Sequence, residues 1–182
     1  LGALGDGGAL LVGDPEVAAR LRRLRNGGQS DRYLHDEAGI NSRLDELQAA
    51  VLRVALAHLP EWTERRRAVA GAYLEGLGDL EALGLPREAE YARAVQHLFV
   101  VRHPRRDRLA EALRERGVGT LIHYPIPLHL QPAFAKLHDP ARALPVVEEK
   151  AGEILSLPLY PELTDEQVGV VVDSVRDAVA AV

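Results

Sequence analysis

Gly39-Ile40-Asn41-Ser42-Arg43-Leu44-Asp45-Glu46-Leu47-Gln48-Ala49-Ala50 opens the strongest helical pattern in the chain. Leu44, Leu47, Val51, Val54 and Leu59 recur at spacings near three and four, which gathers them on one face of a helix. Asn41, Ser42 and Asp45 are residue types that cap a helix start. An amide, a hydroxyl and a guanidinium at residues 41–43 also make a donor set able to hold a phosphate, on this chain's own ligand or on a partner's. Both readings stand on pattern alone. Pro60 interrupts the run, and Glu61-Trp62-Thr63-Glu64-Arg65 resumes helical composition to about Leu77. The pattern predicts one long helix kinked at Pro60 or two helices in tandem.

Upstream, residues 1–13 alternate glycines with small apolar residues and end in Ala9-Leu10-Leu11-Val12, a short buried-strand signal. Gly2, Gly5, Gly7 and Gly8 surround Asp6 without matching a dinucleotide fingerprint, and no G-K-[ST] follows. The cluster fits a tight turn beside a strand or a close approach of backbone to a ligand. Asp14-Pro15-Glu16 then starts a helix, with a capping carboxylate, a proline suited to the first position and an acid at the positive end of the dipole. Gly27-Gly28 stops it.

Downstream, residues 78–86 read as a loop and a domain junction, which divides the chain into residues 1–77 and 78–182. Leu98 to Arg102 reads as a strand, Asp107 to Arg116 as a helix closed by Gly117, and Val118 to His123 as a further strand. Tyr124-Pro125-Ile126-Pro127 breaks that strand. His123 and Tyr124 thus sit where a strand empties into a rigid loop, a common place for binding residues, although a satisfied structural histidine is the usual alternative. Thr164, with Gln167 three residues on, fits a capping box, followed by a stripe of Val168, Val171, Val172, Val175 and Val179. The second half is a compact α+β arrangement. The first part, one or two strands and a long helix with no sheet to complete, has the pattern of the tail of a larger α/β domain.

Composition narrows the classes. The 182 residues carry a net charge of −5 with both signs interspersed, which leaves no basic footprint for nucleic acid or for a membrane surface. The absence of cysteine rules out disulfides and thiolate metal sites. No apolar run approaches the roughly 20 residues of a membrane span, and the N-terminus lacks a signal-peptide layout, so a cytoplasmic protein is expected. The histidines show no metal-ligand spacing, and no G-x-S-x-G occurs. No metal site is expected.

Five stretches together resemble the DegT/DnrJ family of nucleotide-sugar aminotransferases. They are residues 1–9 (LGALGDGGA), 24–33 (LRNGGQSDRY), 39–50 (GINSRLDELQAA), 119–127 (GTLIHYPIP) and 155–168 (LSLPLYPELTDEQV). The resemblance covers essentially the whole chain, and the third and fourth stretches are its most specific.

The resemblance implies a fold type I aminotransferase. Residues 1–77 would be the tail of its large domain, which binds pyridoxal 5'-phosphate (PLP), and residues 78–182 its small α+β C-terminal domain. In the family a lysine in a K-N-L-G context forms the Schiff base, and Leu1-Gly2 match the L-G of that context. The lysine is therefore expected just upstream of Leu1. The lack of any methionine agrees with a chain that is part of a longer protein. No catalytic residue is then expected within the chain, and alone it should not transaminate. The implied reaction passes an amino group, usually from glutamate, to a keto group of a nucleotide-linked deoxysugar.

Asn41 matches the asparagine that reaches the cofactor phosphate of the neighbouring subunit, which implies a homodimer with shared active sites. Arg43 assists at that phosphate or braces the loop. His123 and Tyr124 match a pair at the sugar-nucleotide end of the site. Ile40, where the family commonly has an aromatic residue, and Gln96 depart from the pattern. A non-catalytic or regulatory relative that keeps the fold and dimer surface is the alternative.

Overall fold

The computed structural model describes residues 1–135 and 143–182, which form two compact units, Leu1–Pro60 and Glu61–Val182. The division falls at Pro60, inside a helix.

In the first unit, helix α1 (Pro15–Leu24) begins as its sequence predicts. The Glu16 amide donates to Asp14 Oδ1 at 2.8 Å, and Pro15 opens the first turn. Its end is also as expected: Gly27 and Gly28 take φ of +71° and +77°, the left-handed backbone that glycine adopts without a Cβ penalty. A small antiparallel hairpin follows, β1 (Gln29–Asp31) with β2 (Leu34–His35).

The strand expected at residues 9–12 does not form. That segment has no pairing partner among the described residues, and Leu11 is 97% exposed. A single extended run with no ladder to satisfy its backbone is not a stable strand.

The long helix is one element, α2 (Glu46–Leu77), continuous through Pro60. The predicted stripe is not buried: Leu47, Val51, Val54 and Leu59 are all exposed. Burial begins only in the second unit, at Val69, Ala70, Tyr73 and Leu77 of the same helix.

The second unit is built on an antiparallel pair, β3 (Phe99–Arg102) with β4 (Ile154–Leu157), in the register Phe99↔Leu157 to Arg102↔Ile154. Single bridges extend it on both sides, Gly84↔Arg102 and Leu121↔Ser156. The strand expected over residues 118–123 is reduced to that one bridge, because Gly117 turns the chain just before it and Pro125 and Pro127 follow, without amide donors.

Helix α3 (Arg106–Glu115), helix α4 (Pro145–Glu153) and helix α5 (Asp165–Ala181) complete the unit. Phe99, Val101, Leu155 and Leu157 meet Tyr73 and Leu77, Leu109 and Leu113, and Val168, Val171 and Val175 in one aliphatic core. Tyr73 lies edge-on to Phe99 at 5.1 Å and donates its hydroxyl to the Pro158 carbonyl at 2.8 Å. The capping box of α5 is present in both directions between Thr164 and Gln167.

Three consecutive arginines of α2 secure the loops around this core by donating to main-chain carbonyls. Arg65 reaches Leu163, Arg66 reaches Leu159 at 2.9 Å and Arg67 reaches Ala94 at 2.8 Å. No helix among the described residues is long and apolar enough to cross a membrane.

Candidate functional site

The segment 40–42 is stapled to the end of α1 by main-chain hydrogen bonds. The Ile40 amide donates to the Leu24 carbonyl (2.8 Å), the Gly27 amide to the Ile40 carbonyl (2.9 Å) and the Ser42 amide to the Arg25 carbonyl (2.8 Å). Asn41 pairs with Asn26 in an antiparallel bridge.

Two glycines make this approach possible. A Cβ on Gly28 would lie 1.7 Å from the Glu37 carbonyl oxygen, and one on Gly39 would lie 2.2 Å from the Gly28 nitrogen and 2.5 Å from the Leu24 oxygen. Both contacts are with backbone, which has no rotamer to yield. Sequence pattern flagged Gly28 as a helix stop and quoted Gly39 only within a motif; their role as mutual spacers is a tertiary contact.

The clasp leaves Asn41, Ser42 and Arg43 exposed. Among the described residues their side chains make no hydrogen bond or ion pair, and the Asp45 side chain makes none to the first turn of α2, although its carbonyl accepts from the Ala49 amide at 2.9 Å. The capping alternative is thus not what the side chains do. Two or three neutral and cationic donors on a pinned backbone, with no internal partner, fit the oxygens of a phosphate monoester such as that of PLP. Ile40 is exposed beside them. The glycine cluster upstream also finds its close approach within the chain, Gly5 beside Gln48 and Gly7 beside Leu44.

His123 and Tyr124 belong to the second unit. The His123 Nδ1 lies 2.8 Å from the Ser156 Oγ, and its ring meets the Tyr124 ring edge-on at 5.6 Å. Tyr124 is exposed and His123 half-buried, so a fixed imidazole stands beside an accessible phenol. Sequence reasoning missed Ser156. The signal was a small polar residue between Leu155 and Leu157 in a strand whose whole length is apolar otherwise. Gln96 has a left-handed φ of 54°, an uncommon backbone for a residue with a long side chain.

Lys150 is the described lysine, and it does not suit a Schiff-base role. Its ammonium is held by Glu149 at 2.6 Å and Glu153 at 2.9 Å, and these hydrogen bonds, that from Glu149 foremost, push its pKa above the ordinary lysine value. A nucleophilic lysine needs the opposite shift. Lys136 lies outside the described residues. No group of three or more His, Asp or Glu side chains among the described residues is arranged to hold a metal ion.

The mixed helix and strand elements of this chain are those of the C-terminal part of a fold type I aminotransferase. The chain belongs to the DegT/DnrJ/EryC1/StrS aminotransferase family, whose model matches residues 1–176. It is 52% identical over 177 residues to dTDP-3-amino-3,4,6-trideoxy-alpha-D-glucose transaminase of Streptomyces venezuelae, covering 97% of this chain and 47% of that protein. It is 49% identical over 176 residues to the erythromycin biosynthesis sensory transduction protein EryC1 of Saccharopolyspora erythraea, covering 97% and 48%. The fold superposes on a crystal structure of S. venezuelae DesV in complex with a ketimine intermediate, with a TM-score of 0.96 and 51% identity, over 100% of this chain and 49% of that one. The chain spans about half the length of the curated relatives it matches.

Proposed function

We propose that this chain is the C-terminal part of a PLP-dependent transaminase that moves an amino group from glutamate to a keto group of a nucleotide-linked deoxysugar. The observation that carries it is the clasp: Asn41, Ser42 and Arg43 stand exposed, without side-chain partners among the described residues, on backbone pinned at three points. In this proposal Asn41 and Arg43 hold the phosphate of a cofactor seated on the neighbouring subunit of a homodimer. Residues 1–77 complete a large cofactor domain, and 78–182 form the small domain. His123 and Tyr124 face the sugar nucleotide, the first as a fixed polar contact and the second as an exposed surface to stack on or bond to.

Bound PLP would supply an electron sink for proton movement at the amino-bearing carbon. The chain's own residues contribute position: a guanidinium and an amide fix the phosphate, and the pinned backbone holds them there without reorganisation. Lys150, tied to Glu149 and Glu153, takes no part, and by itself the chain should not transaminate. The dTDP-sugar name of a close relative makes a dTDP-linked keto sugar the first substrate to offer.

The test is the visible spectrum of the protein carrying this chain, titrated with PLP and then with glutamate. A cofactor band that shifts on adding glutamate supports the proposal, and Asn41→Ala should weaken PLP binding about 10-fold or more, the loss of a charge-assisted hydrogen bond. Folded protein that gives no band would favour a regulatory role instead, a reading kept open by the relative named as a sensory transduction protein.

A further inference from the structure

We infer that Ser156 is a positioning residue: its buried hydroxyl donates to His123 Nδ1 and so fixes the neutral imidazole with its proton on Nε2, presented as a hydrogen-bond donor. The inference rests on the proposed function for the identity of the acceptor, an oxygen of the nucleotide sugar, but not for the tautomer itself.

The geometry supplies the tautomer. Ser156 is 4% exposed, and the His123 Nδ1, at 2.8 Å, is the partner of its hydroxyl among the described residues. If Nδ1 carried the proton and donated to Oγ, the serine hydrogen would be buried with no acceptor of its own. Leaving a buried donor unsatisfied is unfavourable, whereas donation from Oγ to an unprotonated Nδ1 satisfies both atoms. The proton of the neutral ring then sits on Nε2.

The same serine holds the chain that carries the histidine. Its amide donates to the Leu121 carbonyl at 2.7 Å, and the Leu121 amide donates back to the Ser156 carbonyl at 3.2 Å. Main chain two residues upstream and the ring itself are therefore anchored to one residue of β4. The strand is in turn fixed by its pairing to β3, where Val100 lies opposite Ser156. The Tyr124 ring lies nearly perpendicular to the imidazole, with ring centres 5.6 Å apart.

The chemical consequence is specific. A neutral imidazole held this way has its one lone pair committed to Ser156, so it cannot take a proton from substrate. It offers a single directed N–H, which suits a phosphoryl or base carbonyl oxygen. His123 is thus assigned to recognition, and its contribution should be equal in the ground and transition states.

The experiment is ring nitrogen NMR on the full-length protein labelled with 15N-histidine, with His123 assigned by loss of its signals in His123→Gln. Above the pH at which the ring is neutral, the wild type should show an unprotonated Nδ1 and a protonated Nε2. Ser156→Ala should raise the share of the Nδ1-protonated form about fivefold, and Ser156→Thr, which keeps the hydroxyl, should restore the wild-type pattern. Steady-state kinetics should show a higher KM for the sugar nucleotide in Ser156→Ala with kcat little changed. A protonated Nδ1 in the wild type, or a tautomer ratio unchanged in a folded Ser156→Ala, would overturn the assignment. Should Ser156→Ala not fold, the wild-type spectrum decides alone. A protein that turns over no sugar nucleotide would refute the proposed function while leaving the tautomer result standing.

Discussion

Replacing Gly39 by alanine tests whether the backbone clasp is what presents Asn41 and Arg43. The new Cβ would stand 2.2 Å from the Gly28 nitrogen, 2.5 Å from the Leu24 oxygen and 2.6 Å from the Gly27 carbonyl carbon. Ordinary contacts of this kind begin near 3.4 Å, so the segment 39–42 must move away from α1 by about 1 Å. Hydrogen bonds of 2.8–2.9 Å stretched by that much pass out of bonding range. Two are lost if only the Ile40 contacts give way and three if Ser42 follows, at about 1 kcal/mol each, for a total of about 2–3 kcal/mol. Hydrogen exchange at the Gly27, Ile40 and Ser42 amides should then accelerate by about 30- to 150-fold, since each 1.4 kcal/mol is tenfold. Gly169→Ala is the control: it lies exposed in α5, a Cβ there meets nothing within 4 Å, and it should stabilise by up to about 1 kcal/mol. Wild-type exchange rates at residues 27, 40 and 42 in Gly39→Ala would refute the close-packing account.

Two further outcomes concern pH and the core of the second unit. Burial, and then the charge of Tyr160, push the Tyr73 hydroxyl up to about 12 from 10.0. The unfolded chain therefore ionises first, so stability is fully present below pH 10 and should fall by about 2 kcal/mol as pH rises to about 12, a limb that urea titrations should show and that Tyr73→Phe should abolish. The same substitution should cost about 1 kcal/mol at neutral pH through the lost bond to Pro158. Asp79 accepts both Arg176 donors, at 2.6 and 2.8 Å, and this holds its carboxyl down at about 2. Its contribution is present above pH 3.8 and is lost as pH falls toward about 2. Asp79→Asn should remove that acid-side dependence, and because the pair is exposed the difference should shrink in high salt.

Local signals were readable where one residue acts through its own neighbours. Asp14 with Pro15, Gly27 with Gly28, and Thr164 with Gln167 each bound or ended a helix at the expected place, because caps and left-handed stops are settled within a few residues. Strands were harder. Residues 9–12 and 118–123 have strand composition, but a strand exists only if another segment offers its backbone, and that is not written locally. Strand β4 was missed for the converse reason: Ile154 to Leu157 is too short to show alternation, yet β3 and Leu121 flank it on both sides. The stripe along the first half of α2 has the right period, but periodicity says which residues share a face and not what covers it. At the candidate site, Asn41, Arg43, His123 and Tyr124 were singled out by residue type and position, and resemblance then implied their roles. Ser156, Gly28 and Gly39 became legible as supports only through contacts between segments distant in sequence.

The central claim is that this chain forms part of a nucleotide-sugar transaminase. The most direct measurement is 2-oxoglutarate release by the full-length protein with PLP, glutamate and a dTDP-linked keto-deoxysugar, run beside the same mixture without sugar. Multiple turnovers of 2-oxoglutarate that depend on the sugar are predicted. Release limited to one equivalent per site, unchanged across a panel of nucleotide-linked keto sugars, would contradict the account.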